Sequence, residues 1–470
     1  MTRAPTPETL ARLAAVVGDN NAITHPADMA RYLTEWRGLW QGKAAMVLRP
    51  GSTGEVSRLL AIAHETETAV VPQGGNTGLV GGQIPLGEGD QIVIALERLN
   101  RVLAVDPDNL TITAEAGVTL HGLQQAAADA DRLFPLSLAA EGTCQIGGNL
   151  SSNAGGLNML AYGNARDLCL GLEVVLADGR VWNGLSHLRK DNTGYDLKNL
   201  FIGAEGTLGI ITRCVMKLYP QPRVHETGFA AVASVAAAVE LLALARDRSG
   251  NRVVGFELLH ANAVDFAVRH MGQRQPLSEA AEWSVLVELA DPAAGALMDI
   301  MEQALERGLV TDAMVAQSEA QRGDLWALRE AISEAQKFEG GSIKHDVSVP
   351  VSHIPAFLTE AMAAVERVVP GARPVPFGHM GDGNIHFNIT QPQGADKDEF
   401  LAQWHHMSAA VFQVVLLHGG SISAEHGIGV LKREDMRAIK SPVALDLMRG
   451  IKQVLDPKGI MNPGKVLPEP

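Results

Sequence analysis

The sequence predicts an α+β chain made of two dissimilar parts, and three observations carry that reading. Up to about residue 220, short strand-like runs alternate with short helix-like ones. Tyr219-Pro220-Gln221-Pro222 then breaks the pattern. Beyond it, long alanine-rich helical runs alternate with single apolar strands, as helices laid on one face of an antiparallel sheet would require.

In chain order, residues 7–17 read as a short amphipathic helix with a threonine near its start. Strands are expected at Ala69–Pro72, Ile92–Leu96 and Leu110–Ala114, and a helix at Leu120–Ala130. Residues 172–178 and 208–218 are β-branched and apolar enough for two more strands. After the proline break, helices are expected at about 233–246, 293–308, 318–337 and 354–368, with strands at Trp283–Leu289 and Ser342–Val349. A last segment carries a glycine-rich loop, a helix at 441–454 and a proline-ended tail. The domain boundaries that follow are 1–220, 221–418 and 419–470.

The 470 residues exceed what one compact core organises, which supports several domains. A net charge of −14 argues against a nucleic-acid partner, since such a surface needs a basic face. Cys144, Cys169 and Cys214 lie too far apart for a disulfide framework or a Cys-x-x-Cys pair, so an iron–sulfur cluster is not expected and a reducing compartment fits. No apolar run reaches the ~20 residues of a membrane span, and the N-terminus shows no secretory pattern. A cytoplasmic location is therefore expected.

Glycines are concentrated in three loops. The first, Val70 to Gly82, follows an apolar strand and holds five glycines in its last nine residues. The second runs from Glu141-Gly142-Thr143 through Gly147-Gly148-Asn149 to Gly156, and the third is Gly203-Ala204-Glu205-Gly206-Thr207-Leu208-Gly209. Backbone N–H groups in such loops can cradle a pyrophosphate. Three of them in one domain point to a long ligand. Neither Gly-x-Gly-x-x-Gly nor Gly-x-x-x-x-Gly-Lys-Ser/Thr occurs, which disfavours a Rossmann site and a P-loop. Over about residues 40–218 these loops resemble the FAD-binding domain of the vanillyl-alcohol-oxidase and p-cresol-methylhydroxylase superfamily. The resemblance implies that Gly74, Gly75, Asn76, Thr77 and Gly81 wrap the FAD pyrophosphate, with Pro72 and Gly78 also binding the cofactor. It implies that Ser137, Gly142, Thr143, Gly148, Ser152, Asn153 and Gly155 line the flavin, completed by Glu205, Gly206 and Ile210. The first loop has no histidine, so FAD is expected to bind noncovalently.

In the second half, Asn384, His386 and Asn388 share one face of an alternating strand whose other face is Ile385, Phe387 and Ile389. His379 enters from the glycine loop before it. Glu425 and His426 lie together in the small-residue loop Ser421 to Gly429. Two histidines and a carboxylate are a common divalent-metal set, and a further histidine can serve as a base near neutral pH. Arg329 and Ser333 are spaced to share a helix face, and Lys344 sits on the next strand opposite Ile343 and His345. An arginine can fork onto a carboxylate and a lysine adds a point charge.

Arg329 to Lys344, Gly378 to His386, Ser423 to Gly427 and Asp456 to Lys465 resemble the C-terminal domain of FAD-linked D-2-hydroxy-acid dehydrogenases. With the FAD domain, this resemblance covers nearly the whole chain. D-2-hydroxyglutarate dehydrogenases look most similar, then D-lactate dehydrogenases and the flavin subunit of glycolate oxidase. The resemblance implies that His379, His386 and Glu425 bind a zinc-like metal and that His426 is the base. It implies that Arg329, Ser333 and Lys344 hold substrate carboxylates, that Asn388 touches the hydroxyl end, and that Asn462 returns to the cofactor. Some members carry threonine where Ser333 stands, which keeps the hydroxyl.

The implied reaction is oxidation of a D-2-hydroxy acid, D-2-hydroxyglutarate or D-malate, with the hydroxyl proton going to His426 and the hydride to flavin N5. The implied partners are the small acid and a separate electron acceptor, such as electron-transfer flavoprotein or a quinone; a homodimer is expected. A D-lactate or glycolate enzyme is the nearer rival. An alkyl-transferring or noncatalytic flavoprotein is the more distant one.

Overall fold

The computed structural model describes residues 2–469. Contacts divide the chain into two compact units. Unit 1 holds the residues up to Gly155, Gly163–Gln221, and those from Glu425 onward; unit 2 holds Gly156–Tyr162 and Pro222–Ala424. The chain passes into the long stretch of unit 2 at Gln221/Pro222, within the proline break, after an earlier short excursion over Gly156–Tyr162. Residues 419–424, expected in the C-terminal segment, belong instead with unit 2, because Ser421 pairs with Ser348 there. Residues 156–162 also go to unit 2, where Leu160 packs against Gly381 so closely that a Cβ on that glycine would lie 2.6 Å from it.

Unit 1 opens with α1 (Pro7–Val17), capped by Thr6, whose hydroxyl accepts the Thr9 N–H. Four strands form its first sheet: β1 (Ala22–Ile23), β2 (Met46–Leu48), and, after α2 (Thr53–Thr66), β3 (Ala69–Gln73) and β4 (Gln91–Ala95), in the order β1-β2-β4-β3. The β2–β4 and β3–β4 pairs are parallel, so each strand is buried almost throughout and reads as an unbroken apolar run. Between β2 and β3, α2 buries Val56, Leu59, Leu60 and Ala63, the i, i+3, i+4, i+7 stripe of a helix lying on a core.

A second, antiparallel sheet follows. It comprises β5 (Val102–Asp106) and β6 (Thr111–Glu115), then, beyond α3 (Leu120–Asp129) and α4 (Ile146–Ser152), β7 (Cys169–Val175), β8 (Val181–Gly184) and β9 (Ile210–Lys217), in the order β5-β6-β9-β7-β8. Cys144, Cys169 and Cys214 are all buried thiols.

Unit 2 is built on one eight-stranded antiparallel sheet. Its elements in chain order are β10 (His225–Val232), α5 (Val235–Ser249), β11 (Val253–His260), α6 (Ala261–Met271), β12 (Trp283–Ala290), α7 (Ala296–Glu306), β13 (Val310–Val315), α8 (Glu319–Ala335), β14 (Ser342–Ile343), β15 (Asp346–Ser348), α9 (Ile354–Val368), β16 (Arg373–Gly378), β17 (Asn384–Thr390) and α10 (Trp404–Leu417). The strand order is β13-β10-β12-β11-β16-β17-β14, with β15 also paired to β17. On one flank, Leu325, Leu328 and Ile332 of α8 join Phe266, Leu286 and Phe377 in a dry core.

The strand expected over Ser342–Val349 is interrupted at Lys344 and His345. There the Nδ1 edge of the His345 ring meets the Phe387 carbonyl at 2.9 Å, so a side chain takes the place of a ladder amide.

The chain then returns to unit 1 with α11 (Pro442–Leu455) and the tail. Asp456 shapes that tail by accepting the Ile460 and Met461 N–H groups and the Lys452 ammonium. The tail runs alongside β3, with Val70 N–H donating to the Ile460 carbonyl and Asn462 N–H to the Val70 carbonyl. Among the described residues no helix is long and apolar enough to cross a membrane.

Candidate functional site

Unit 1 contains an open cleft at the C-terminal end of β3. Its wall includes Pro72, Gly74 to Gly78, Gly148, Ser152, Glu205, Gly206 and Ile210 from the expected cofactor set, and also His426. Gly75 is where two of the glycine loops meet. A Cβ there would lie 2.0 Å from the Thr143 carbonyl oxygen, so only glycine lets the chains approach. At Gly148 a Cβ would meet no atom within 4 Å, so it would project into open space.

Other expected residues stand behind this wall. Gly81 lies against the Trp40 ring and Gly155 against Glu425. Asn153 ends α4 with φ 52° and accepts the Arg166 N–H. The Thr143 hydroxyl donates to the Ala140 carbonyl. Ser137 is half-buried and Gly142 exposed on the stretch between α3 and α4. Asn462 donates its amide to the Gly82 and Glu205 carbonyls, so it braces two cleft-lining turns.

The polar atoms of the cleft fit FAD. Four residues of the wall, Gln73, Asn76, Gln145 and Asn149, carry buried amide oxygens that accept no hydrogen bond. Buried acceptors are seldom left so. A dinucleotide, with its ribityl hydroxyls, imide and exocyclic amine, brings the donors they lack. Gln73 and Gln145 were not singled out from the sequence; their position beside the glycine loops was the available signal.

Glu205 does more than line the cleft. With φ 50°, it turns its carboxylate toward the 427–429 loop and accepts the Ile428 and Gly429 N–H groups at 2.7 and 2.8 Å. Burial raises its pKa, and those N–H groups together with Lys432 and Lys465 work against the rise. Burial and Arg433 in turn bring Lys465 down to about 8. Glu205 thereby fixes the loop that carries His426.

Unit 2 assembles the second constellation. Leu258 pairs with Gly378 across β11 and β16, and the same register places Glu257 beside His379. Glu257 Oε1 lies 2.6 Å from His379 Nδ1, and its Oε2 accepts from Arg329 Nε at 2.6 Å. Burial pushes this carboxyl up, but the His379 and Arg329 charges prevail and hold it at about 2. The Arg329 guanidinium also lies over the Phe377 ring, 4.9 Å from its centroid. His379 and His386 meet edge to face, with ring centroids 5.4 Å apart. Beyond His386, Asp346 Oδ1 is 4.0 Å from its Nδ1 and accepts the Asn384 amide at 2.9 Å.

Thus Arg329, His379 and His386 are brought together with Glu257 and Asp346, two acids not singled out beforehand. The signal for Glu257 was a lone carboxylate in the apolar run Val253–His260. Asn388 is buried and donates to Gln336 Oε1 at 3.0 Å. Lys344 is half-buried, and Ser333 is exposed one turn beyond the buried Arg329. A histidine fixed through Nδ1 by a carboxylate presents Nε2 to a metal, which suits His379 to a divalent ion, with the His386 ring packed against it.

A family model described as FAD linked oxidases, C-terminal domain, matches residues 221–466, and one described as FAD binding domain matches residues 44–184. The chain is 39% identical over 464 residues to "D-2-hydroxyglutarate dehydrogenase, mitochondrial" of Bos taurus, covering 98% of this chain and 83% of that protein. It is 36% identical over 446 residues to "D-2-hydroxyglutarate dehydrogenase" of Xanthomonas citri pv. viticola, covering 94% and 93%. A solved structure of p-cresol methylhydroxylase shares the fold, with a TM-score of 0.76 at 16% identity, covering 99% of this chain and 98% of that one.

Proposed function

Because the chain belongs to the FAD-linked oxidases and is an FAD-dependent dehydrogenase of D-2-hydroxy acids, we propose that it oxidises D-2-hydroxyglutarate to the 2-keto acid. The observation that carries the choice of substrate is the near full-length similarity to relatives bearing that name. The cations of unit 2 support it. A five-carbon diacid has two anionic ends, and Arg329 and Lys344 offer two positive groups.

When bound, FAD supplies a two-electron acceptor and a divalent ion, zinc in this reading, supplies Lewis acidity toward the 2-hydroxyl. His379 and His386 would hold the ion, and the family resemblance adds Glu425. The Arg329 Nη groups grip a substrate carboxylate while Glu257 keeps Nε engaged. Lys344 adds its charge at the acid, and Ser333 and Asn388 contact the substrate as the resemblance implies. His426 takes the hydroxyl proton, and bound FAD would supply the acceptor for the C2 hydride. The reading includes a separate electron acceptor, an electron-transfer flavoprotein or a quinone, and a cytoplasmic homodimer.

Anaerobic spectroscopy tests the reading. D-2-hydroxyglutarate should bleach the flavin band quickly, while its L-isomer, D-lactate and glycolate should not. Bleaching by D-lactate or D-malate in preference to D-2-hydroxyglutarate would reassign the substrate.

A further inference from the structure

We propose that Glu257 is a positioning residue that sets the substrate-gripping arginine and a metal-ligating histidine in one geometry, through opposite oxygens of a single buried carboxylate. The inference rests on the functional reading above for the roles of Arg329 and His379.

Glu257 sits in the middle of β11 between Phe256 and Leu258, both buried, and is itself 1% exposed. An apolar residue would serve that core equally well, and an unpaired charge there would be costly. Yet both oxygens are engaged at 2.6 Å, one by Arg329 from α8 and one by His379 from the loop after β16. No local helix or turn rule produces this meeting. It depends on the β11–β16 register and on the seating of α8.

The chemistry of the pair is directional. Arg329 Nε can only donate. For Nε2 of His379 to take a metal, Nδ1 must carry the proton, so Nδ1 must also donate. Two donors need two acceptors, and a carboxylate is the side chain that offers one on each side. Glutamine cannot do this. If its NH2 faces His379, the ring must accept at Nδ1 and carry its proton on Nε2, where a metal would bind. If its NH2 faces Arg329, two donors oppose each other.

The test is Glu257→Gln in the full-length, FAD-loaded protein, with Glu257→Asp as the variant that keeps the charge but shortens the reach. Zinc affinity is measured by competition with a chromogenic chelator, alongside FAD content and the KM and kcat for D-2-hydroxyglutarate. The expected result is zinc binding weakened about 10- to 100-fold or a comparable rise in KM, with FAD content unchanged. Glu257→Asp should lose less of either. If Glu257→Gln does not fold, Glu257→Asp carries the same comparison. Wild-type zinc affinity together with wild-type KM in a folded variant would overturn the proposal. Failure of the functional reading looks different: the wild-type protein would itself bind no zinc or oxidise no hydroxy acid.

Discussion

The side-chain amide of Asn462 donates to the backbone carbonyl of Glu205 at 2.7 Å, joining the tail to a turn far earlier in the chain. The same amide also reaches the Gly82 carbonyl at 2.9 Å. Gly82 and Glu205 both belong to the cleft wall, so one buried side chain ties two parts of the cradle together.

Asn462→Ala should therefore weaken FAD retention as well as stability. Two partly buried carbonyls lose their donor, at a cost of about 1–3 kcal/mol. Flavin fluorescence during dilution would show faster FAD release, and the melting temperature of the apoprotein would fall less than that of the holoprotein. An unchanged FAD dissociation constant would mean the brace does not act on the cofactor cradle.

Glu205→Gln tests the other end of that turn. The carboxylate accepts one N–H on each oxygen, whereas an amide must turn its NH2 toward one of them. The loop bearing His426 should lose its fixed position while the rest of the cleft persists. Stopped-flow flavin reduction should slow on the order of 10- to 100-fold, with the FAD spectrum intact. A normal reduction rate would show that the loop is held by something else.

Much of this architecture was legible from residue patterns. The α1 helix and the Asn-His-Asn face of β17 follow from periodicity, the three glycine loops stand out by composition, and the proline run falls where the chain enters the long stretch of unit 2. What escaped was set by pairing between distant strands. Glu257 and Asp346 look like isolated acids until β11 lies beside β16 and β15 beside β17. Gln73 and Gln145 become notable only once their amide oxygens prove buried without donors. The break at Lys344 escaped because the competitor to the ladder is a histidine ring, which no alternation of polar and apolar residues reveals. The assignment of residues 156–162 to unit 2 likewise depends on where Leu160 packs.

Two histidine variants separate acid–base work from metal binding. His426→Ala should retain FAD and metal and lose about 10²–10⁴-fold in flavin reduction, the usual worth of a positioned base. His386→Ala should instead lose metal, read by elemental analysis, and be slow for that reason. Full activity in metal-stripped wild-type protein would remove the ion from the mechanism, and full activity in His426→Ala would remove the base.

Acid should destabilise unit 2 through Glu288, a residue remote from the proposed chemistry. This carboxylate on β12 is buried, yet it accepts Thr227 Oγ1 at 2.7 Å, Arg322 Nε at 2.8 Å and Trp326 Nε1 at 2.7 Å. Burial pushes its pKa up, and His225 at 3.4 Å together with the hydrogen bonds from Arg322, Trp326 and Thr227 more than reverse this, from 4.5 to about 2. A folded pKa below the unfolded one means that the unfolded chain binds the proton first. The stabilisation is therefore complete above pH 4.5 and is lost as pH falls from there toward 2. A carboxylate held at about 2 contributes roughly 3 kcal/mol at neutral pH. Urea midpoints at pH 7, 5, 4 and 3 should fall steeply for the wild type over the last two steps. Glu288→Gln should start lower at pH 7 and fall less between pH 5 and 3, because its amide does not titrate. Parallel curves for the two proteins would show that the acid sensitivity originates at other carboxylates.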